Sequence, residues 1–122
     1  MIWALIGIAG GTGAVVRFLG DRWLTSRIRS TWPFATLAIN VSGSFLLAVL
    51  TGWCAAHNGY DAWLTVLGTG FLGGYTTFSA ASVETMRLIG ENRTLTAYAH
   101  ALGMLLASVA AAGLGWALAS WL

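Results

Sequence analysis

Four apolar stretches, each long enough to cross a bilayer, leave this chain little choice of solvent. They run over about residues 2–19, 34–56, 63–89 and 95–122, and one crossing needs roughly 20 apolar residues. Only 8% of the residues are charged, against about 25% in soluble domains, so charge cannot cover a core of this composition. The expected fold is all-α: one integral membrane domain over residues 1–122 with four transmembrane helices. The third stretch is longer than one crossing requires, which fits a break or a tilt.

The remaining composition narrows the function classes. No Lys or Arg precedes the first apolar run, which argues against a cleaved signal peptide. Trp3, Trp32, Trp53, Trp63, Trp116 and Trp121 fall near expected span ends, as interfacial aromatic belts require. All six basic residues are arginines flanking apolar spans, so they read as topology signals, not nucleic-acid contacts. Cys54 stands alone, and neither His57 nor His100 has a metal-ligand spacing. No nucleophile–base pair suggests an enzyme. The stretch "DRWLTSRIRSTWP" reads as an interfacial helix, with Trp23, Leu24 and Ile28 on lipid and Arg22, Arg27 and Arg29 among headgroups. Pro33 then opens the second span.

Small residues mark where helices can approach. Gly7 with Gly11, and Gly10 with Ala14, lie four apart on the first span. Gly103, Ala107, Ala111, Gly115 and Ala119 form a longer register on the last. Such ridges permit the close backbone packing that associates helices in lipid. Four short helices enclose little interior, so a solute pathway forms more easily between subunits, and an oligomer is expected.

Polar side chains inside the spans are functional candidates because each needs a partner or water. Thr36, Asn40, Gly43 and Ser44 make a polar stripe on the second helix, which serves either a pathway or an interhelical hydrogen bond. Arg17, near the end of the first span, can snorkel to the interface. Glu84 shares a face with Ala81 and Thr77; it is either a titratable gate or an acceptor for Thr36 or Ser82. The stretch "FLGGYTTFSAAS" is a poor continuous helix, since each glycine costs about 1 kcal/mol against alanine and β-branched threonines add more. Irregular backbone at membrane depth survives only where it is buried in protein or lines a cavity. A break near Gly73–Thr77 exposes carbonyls that suit Na⁺ and half-helix amides that suit an anion. Thr77, Phe78, Ser79 and Ser82 add hydroxyl donors and a ring.

These motifs resemble those of the Fluc (CrcB) fluoride channels. "GIAGGTGAVVRF" is similar to the first-helix signature, "FATLAINVSGSFLL" to the second and "GFLGGYTTFSAASVE" to the third, and together they cover nearly the whole chain. The resemblance implies an antiparallel dimer, with itself or with an oppositely oriented homologue, that lowers cytoplasmic fluoride by passive efflux across a bacterial cell membrane. It implies a structural sodium ion at the dimer centre on the carbonyls of Gly73 and Thr76. It assigns Asn40 and the ring edge of Phe78 to the fluoride path, with Thr36, Thr77, Ser79, Ser82 and Glu84 near it and Arg17 at a vestibule. On the fourth helix Ser108 is the candidate hydroxyl, ahead of Tyr98 and His100.

Two positions depart from the family pattern: Ala81 replaces a second phenylalanine, and Ala35 stands where glycine is common. A small proton-coupled multidrug exporter is the alternative class, since it too has four short helices. Such exporters need a carboxylate in the first helix, and the span 2–19 has none. With four spans, the termini and the Ala56–Ala62 loop share one side. Arg22, Arg27, Arg29 and Arg93 lie on the other, with Arg17 and Arg87 at its edge. The positive-inside rule then places that second side in the cytoplasm.

Overall fold

The computed structural model describes residues 1–57 and 62–122. Helix α1 spans Ile2–Arg27 and α2 spans Phe34–Ala56. The third expected span is two half-helices. The first, α3, covers residues 62–75 and includes a π-helical stretch over Thr65–Leu72. The second, α4, is Phe78–Gly90, and α5 is Thr94–Ala119. Among the described residues there is no strand. Helices α1, α2 and α5 are each long and apolar enough to cross a membrane; α3 and α4 reach that length only together. The chain is a multi-pass membrane protein. The Ala56–Ala62 loop falls largely outside the described residues.

The expected interfacial helix is a continuation of α1, which runs unbroken to Arg27 and ends at an extended Ile28. No residue between Gly20 and Arg27 interrupts helical bonding, and Arg27 folds back over the Trp23 ring at 5.8 Å. The switch from apolar to charged composition marks where the helix leaves the hydrocarbon, not where its hydrogen bonds stop. Pro33 sits immediately before α2, as the N-cap residue.

Two glycine-lined seams hold the bundle. In the first, α1 lies against α3: a Cβ on Gly13 would collide with the Phe71 carbonyl, and one on Gly74 with the Gly10 carbonyl. In the second, α2 packs along α5, with Gly115 under the Phe45 carbonyl and Gly52 against Ala119. The small-residue register of α5 is therefore half used. Ala111, Gly115 and Ala119 are buried, while Gly103 faces outward. Gly7 and Gly11 also face outward with open space before them. At the far end, the Arg93 guanidinium donates to the Thr31 carbonyl at 3.2 Å. This contact ties the loop before α2 to the loop before α5 on one side of the bundle.

Candidate functional site

The break between α3 and α4 is made by rerouting backbone hydrogen bonds through side chains. Thr76 and Thr77 are extended, with ψ of 159° and 115°. In a continuous helix each N–H donates to the carbonyl four residues back, so Thr77 would serve Gly73 and Ala80 would serve Thr76. Instead the Thr77 N–H donates to Asn40 Oδ1 at 2.8 Å, and the Ala80 N–H donates to Thr77 Oγ1 at 3.1 Å. Asn40 Nδ2 returns a bond to the Thr77 carbonyl at 2.9 Å. The amide of Asn40 thus pairs with Thr77 as a neighbouring strand would, and Thr77 caps α4. The carbonyls of Gly73 and Thr76 lose their helical donors as a consequence.

Those two carbonyls fit a hard monovalent cation. Oxygen dipoles without formal charge are the donor set that unwound backbone offers to sodium. Among the described residues no group of three or more His, Cys, Asp or Glu could hold a metal by side chains. Gly73 is exposed on the surface of the chain.

Arg17 does not snorkel outward. It lies within α1, half-buried, and its Nε donates to the Gly74 carbonyl at 3.3 Å. Thr36 Oγ1 donates to Glu84 Oε1 at 2.8 Å, as one sequence reading anticipates. Ser82 does not reach Glu84; its hydroxyl turns back to the Phe78 carbonyl at 2.9 Å. Thr77 Oγ1 and Ser79 Oγ lie 3.2 Å apart. Phe78 is 88% exposed, with its ring on the outer surface of the subunit.

Neighbouring pockets lie along these groups. A polar vestibule of about 490 Å³ opens among Asp21, Glu84, Arg87, Glu91 and Arg93. It adjoins a pocket of about 120 Å³ lined by Arg17, Asp21, Thr36, Thr77 and Glu84. Beyond the break, a cavity of about 330 Å³ holds Asn40, Ser44, Thr77, Phe78, Met104 and Ser108. A fourth, of about 420 Å³, is lined by Thr51, Thr65, Thr69, Gly73 and Thr76. Adjacent members share residues, with Thr77 on both sides of the break. The candidate residues of α2, α3, α4 and α5 therefore converge, and Ser108 joins them. Tyr98 does not; it is 63% exposed.

Two participants escape a reading of the sequence, and a third, His100, enters it only as a weaker candidate. Met104 places its sulfur 3.3 Å from Asn40 Nδ2; it lies four residues from both His100 and Ser108, a helical spacing that could have flagged it. Asp21 belongs to α1 and lines both the vestibule and the small pocket, because α1 is longer than its apolar stretch. His100 is completely buried, and nothing in its local sequence distinguishes burial from an interfacial position.

With this geometry in view, comparison with known proteins is specific. The family model described as CrcB-like protein, camphor resistance (CrcB), matches residues 4–116. A fluoride-specific ion channel, FluC 2, of Cutibacterium acnes is 49% identical over 98% of this chain and 97% of its own length. One of the same name from Moorella thermoacetica is 43% identical over 95% of this chain and 94% of its own. FluC 1 of Leifsonia xyli is 46% identical over 90% of this chain and 80% of its own. The match runs through all the helices that build the break, and the chain belongs to the CrcB-like family.

Proposed function

We propose that this chain forms a passive, fluoride-selective channel in a bacterial cell membrane and acts as an antiparallel dimer. The observation that carries this reading is the row of neighbouring pockets beside a helix break furnished with uncharged donors. The relatives' name, fluoride-specific ion channel, supports the choice of ion, and as a channel the protein is not an enzyme.

Fluoride is small and tightly hydrated, so its path has to replace water with donors. Hydroxyl groups of Thr36, Thr77, Ser79, Ser82 and Ser108 can rotate to supply O–H. The amide of Asn40 has one N–H engaged with Thr77. Its other faces Met104 sulfur, a weak acceptor that fluoride outcompetes. Phe78 offers the positive edge of its ring. None of these groups traps the ion as a fixed cation would. Arg17 is engaged with the Gly74 carbonyl, so it raises the local potential without standing in the path. A negative-inside potential contributes about 2.3 kcal/mol per charge per 100 mV and drives the anion outward without a coupled proton.

Phe78 and Gly73 both face outward, so a second subunit is needed to enclose them. The partner is a second copy or an oppositely oriented homologue. The carbonyls of Gly73 and Thr76 would hold a sodium ion, which would supply a fixed positive charge at the break. The exporter alternative gains Asp21, now on α1, yet that carboxylate sits among arginines, lining the vestibule with Arg87 and Arg93 and the small pocket with Arg17.

Fluoride efflux from liposomes containing the purified chain tests the reading. Efflux under an electrical driving force, without a proton gradient and without chloride passage, is the expected result. A requirement for a proton gradient would return the exporter to first place.

A further inference from the structure

Among the described residues, the buried side-chain polar atoms without a hydrogen-bond partner are Glu84 Oε2 and the two ring nitrogens of His100. Two of these three face each other, His100 Nε2 lying 3.5 Å from Glu84 Oε2. Buried polar groups are seldom left unpaired, because each costs about 1–3 kcal/mol. An unexplained pair in contact therefore points to something that belongs between them. The distance is too long for a good hydrogen bond, too short for a bridging water, and flanked by no third ligand for a metal.

We propose that His100 and Glu84 form a proton-binding site inside the membrane, and that its occupancy sets the charge beside the pathway. The consequence for flux rests on the fluoride-channel reading; the existence of the proton site does not. The proton comes from water in the vestibule, which Glu84 lines, and adds to a ring nitrogen of His100. No other bond forms or breaks. Before protonation the pair carries the single negative charge of Glu84. Afterwards it is an imidazolium–carboxylate ion pair with no net charge.

The surroundings identify which group changes. From α1, Arg17 and Asp21 share the small pocket with Glu84. From α2, Thr36 donates to the other carboxylate oxygen, and before it the Trp32 ring meets the imidazole edge-on at 6.0 Å. From α4, Arg87 lies one turn from Glu84 and turns toward Glu91 at 3.8 Å, while Arg93 closes the rim. His100 is the only imidazole in this set, and histidine is the side chain whose ordinary charge change falls between about pH 5 and 8. An anion passing Thr36 and Thr77 meets a net negative charge at high pH and a cancelled one at low pH. Proton occupancy therefore opens the electrostatic path, and flux rises as pH falls.

Two measurements on the full chain decide the matter. Fluoride current in planar bilayers at fixed voltage reads only the ion, so neutral HF does not contribute. The current is expected to rise about 3- to 10-fold between about pH 8 and 5, the scale of one nearby charge partly screened, and His100→Gln should flatten that dependence. The second is independent of conduction. The chain has two histidines, so His57→Gln, at the opposite end, leaves His100 as the sole imidazole signal in an NMR titration. That signal should shift across the same range, and Glu84→Gln should move its midpoint. A ring signal constant from about pH 5 to 8 overturns the proton site, as does a pH response that survives in His100→Gln. Absence of fluoride current at every pH would count against the channel reading, and the ring titration then decides the proton site by itself.

Discussion

The side-chain amide of Asn40 pairs with the backbone of Thr77 in both directions, accepting from its N–H at 2.8 Å and donating to its carbonyl at 2.9 Å. Few single side chains can do this, because the partner must present a donor and an acceptor at amide spacing. Aspartate has the shape but cannot donate. Asn40→Asp should therefore lose the bond to the Thr77 carbonyl, set a carboxylate against it, and destabilise the fold by about 1–3 kcal/mol. Fluoride flux should vanish as well, since a negative charge stands in the anion's path. Liposome efflux and thermal unfolding of the same preparation measure both. Full flux from Asn40→Asp would place the pathway elsewhere.

Phe78 provides the opposite combination. Its ring is 88% exposed in the single chain, so Phe78→Ile removes almost no intrachain packing. The expected result is abolished flux with monomer stability changed by less than about 0.5 kcal/mol. Efflux at the native rate would show that the ring edge does not meet the ion.

The glycine seam between α1 and α3 makes a prediction about folding alone. Gly13→Ala or Gly74→Ala drives a methyl into a backbone carbonyl of the neighbouring helix, and backbone cannot move aside as a side-chain tip can. Each should cost about 1–3 kcal/mol or more. Gly103→Ala, which meets open space, is the matched control. Equal melting temperatures for the three variants would contradict this packing.

Which parts of this were legible in the sequence follows from how local the cause is. The apolar helices, a break near Gly73–Thr77 and the polar faces could be read because hydropathy and glycine–threonine clustering are local signals. The clamp on the break was not readable, because Asn40 and Thr77 are 37 residues apart. The π-helical turn at Thr65–Leu72 was missed for a related reason: the Gly73 N–H reaches the Gly68 carbonyl, and no residue pattern announces that choice. The length of α1 was misread because an end of hydrophobicity was equated with an end of helix. That single error hid Asp21 and turned Arg17 from an inward-bonding residue into an interfacial one.

Orientation is a separate test. The Arg93–Thr31 contact puts the two arginine-bearing loops on the same side, and the positive-inside rule makes that side cytoplasmic. Reporters fused to the two termini should both read outside the cytoplasm. A chain so biased builds an antiparallel dimer with itself only if part of it inserts the other way, so co-expression with an oppositely oriented homologue should raise fluoride flux above that of this chain by itself. Termini on both faces, with full flux from this chain by itself, would leave a dual-topology homodimer.

The detour of the helix bonds through Asn40 and Thr77 also bears on kinetics. Both substitute partners are side chains held by the bundle, so the break is complete once the helices have assembled. Under the sodium proposal, an ion at the freed carbonyls would meet a backbone already shaped for it, and the exchange of its own water shell would limit its arrival and departure. Point changes in α2 should then shift such a site as strongly as changes in the break itself.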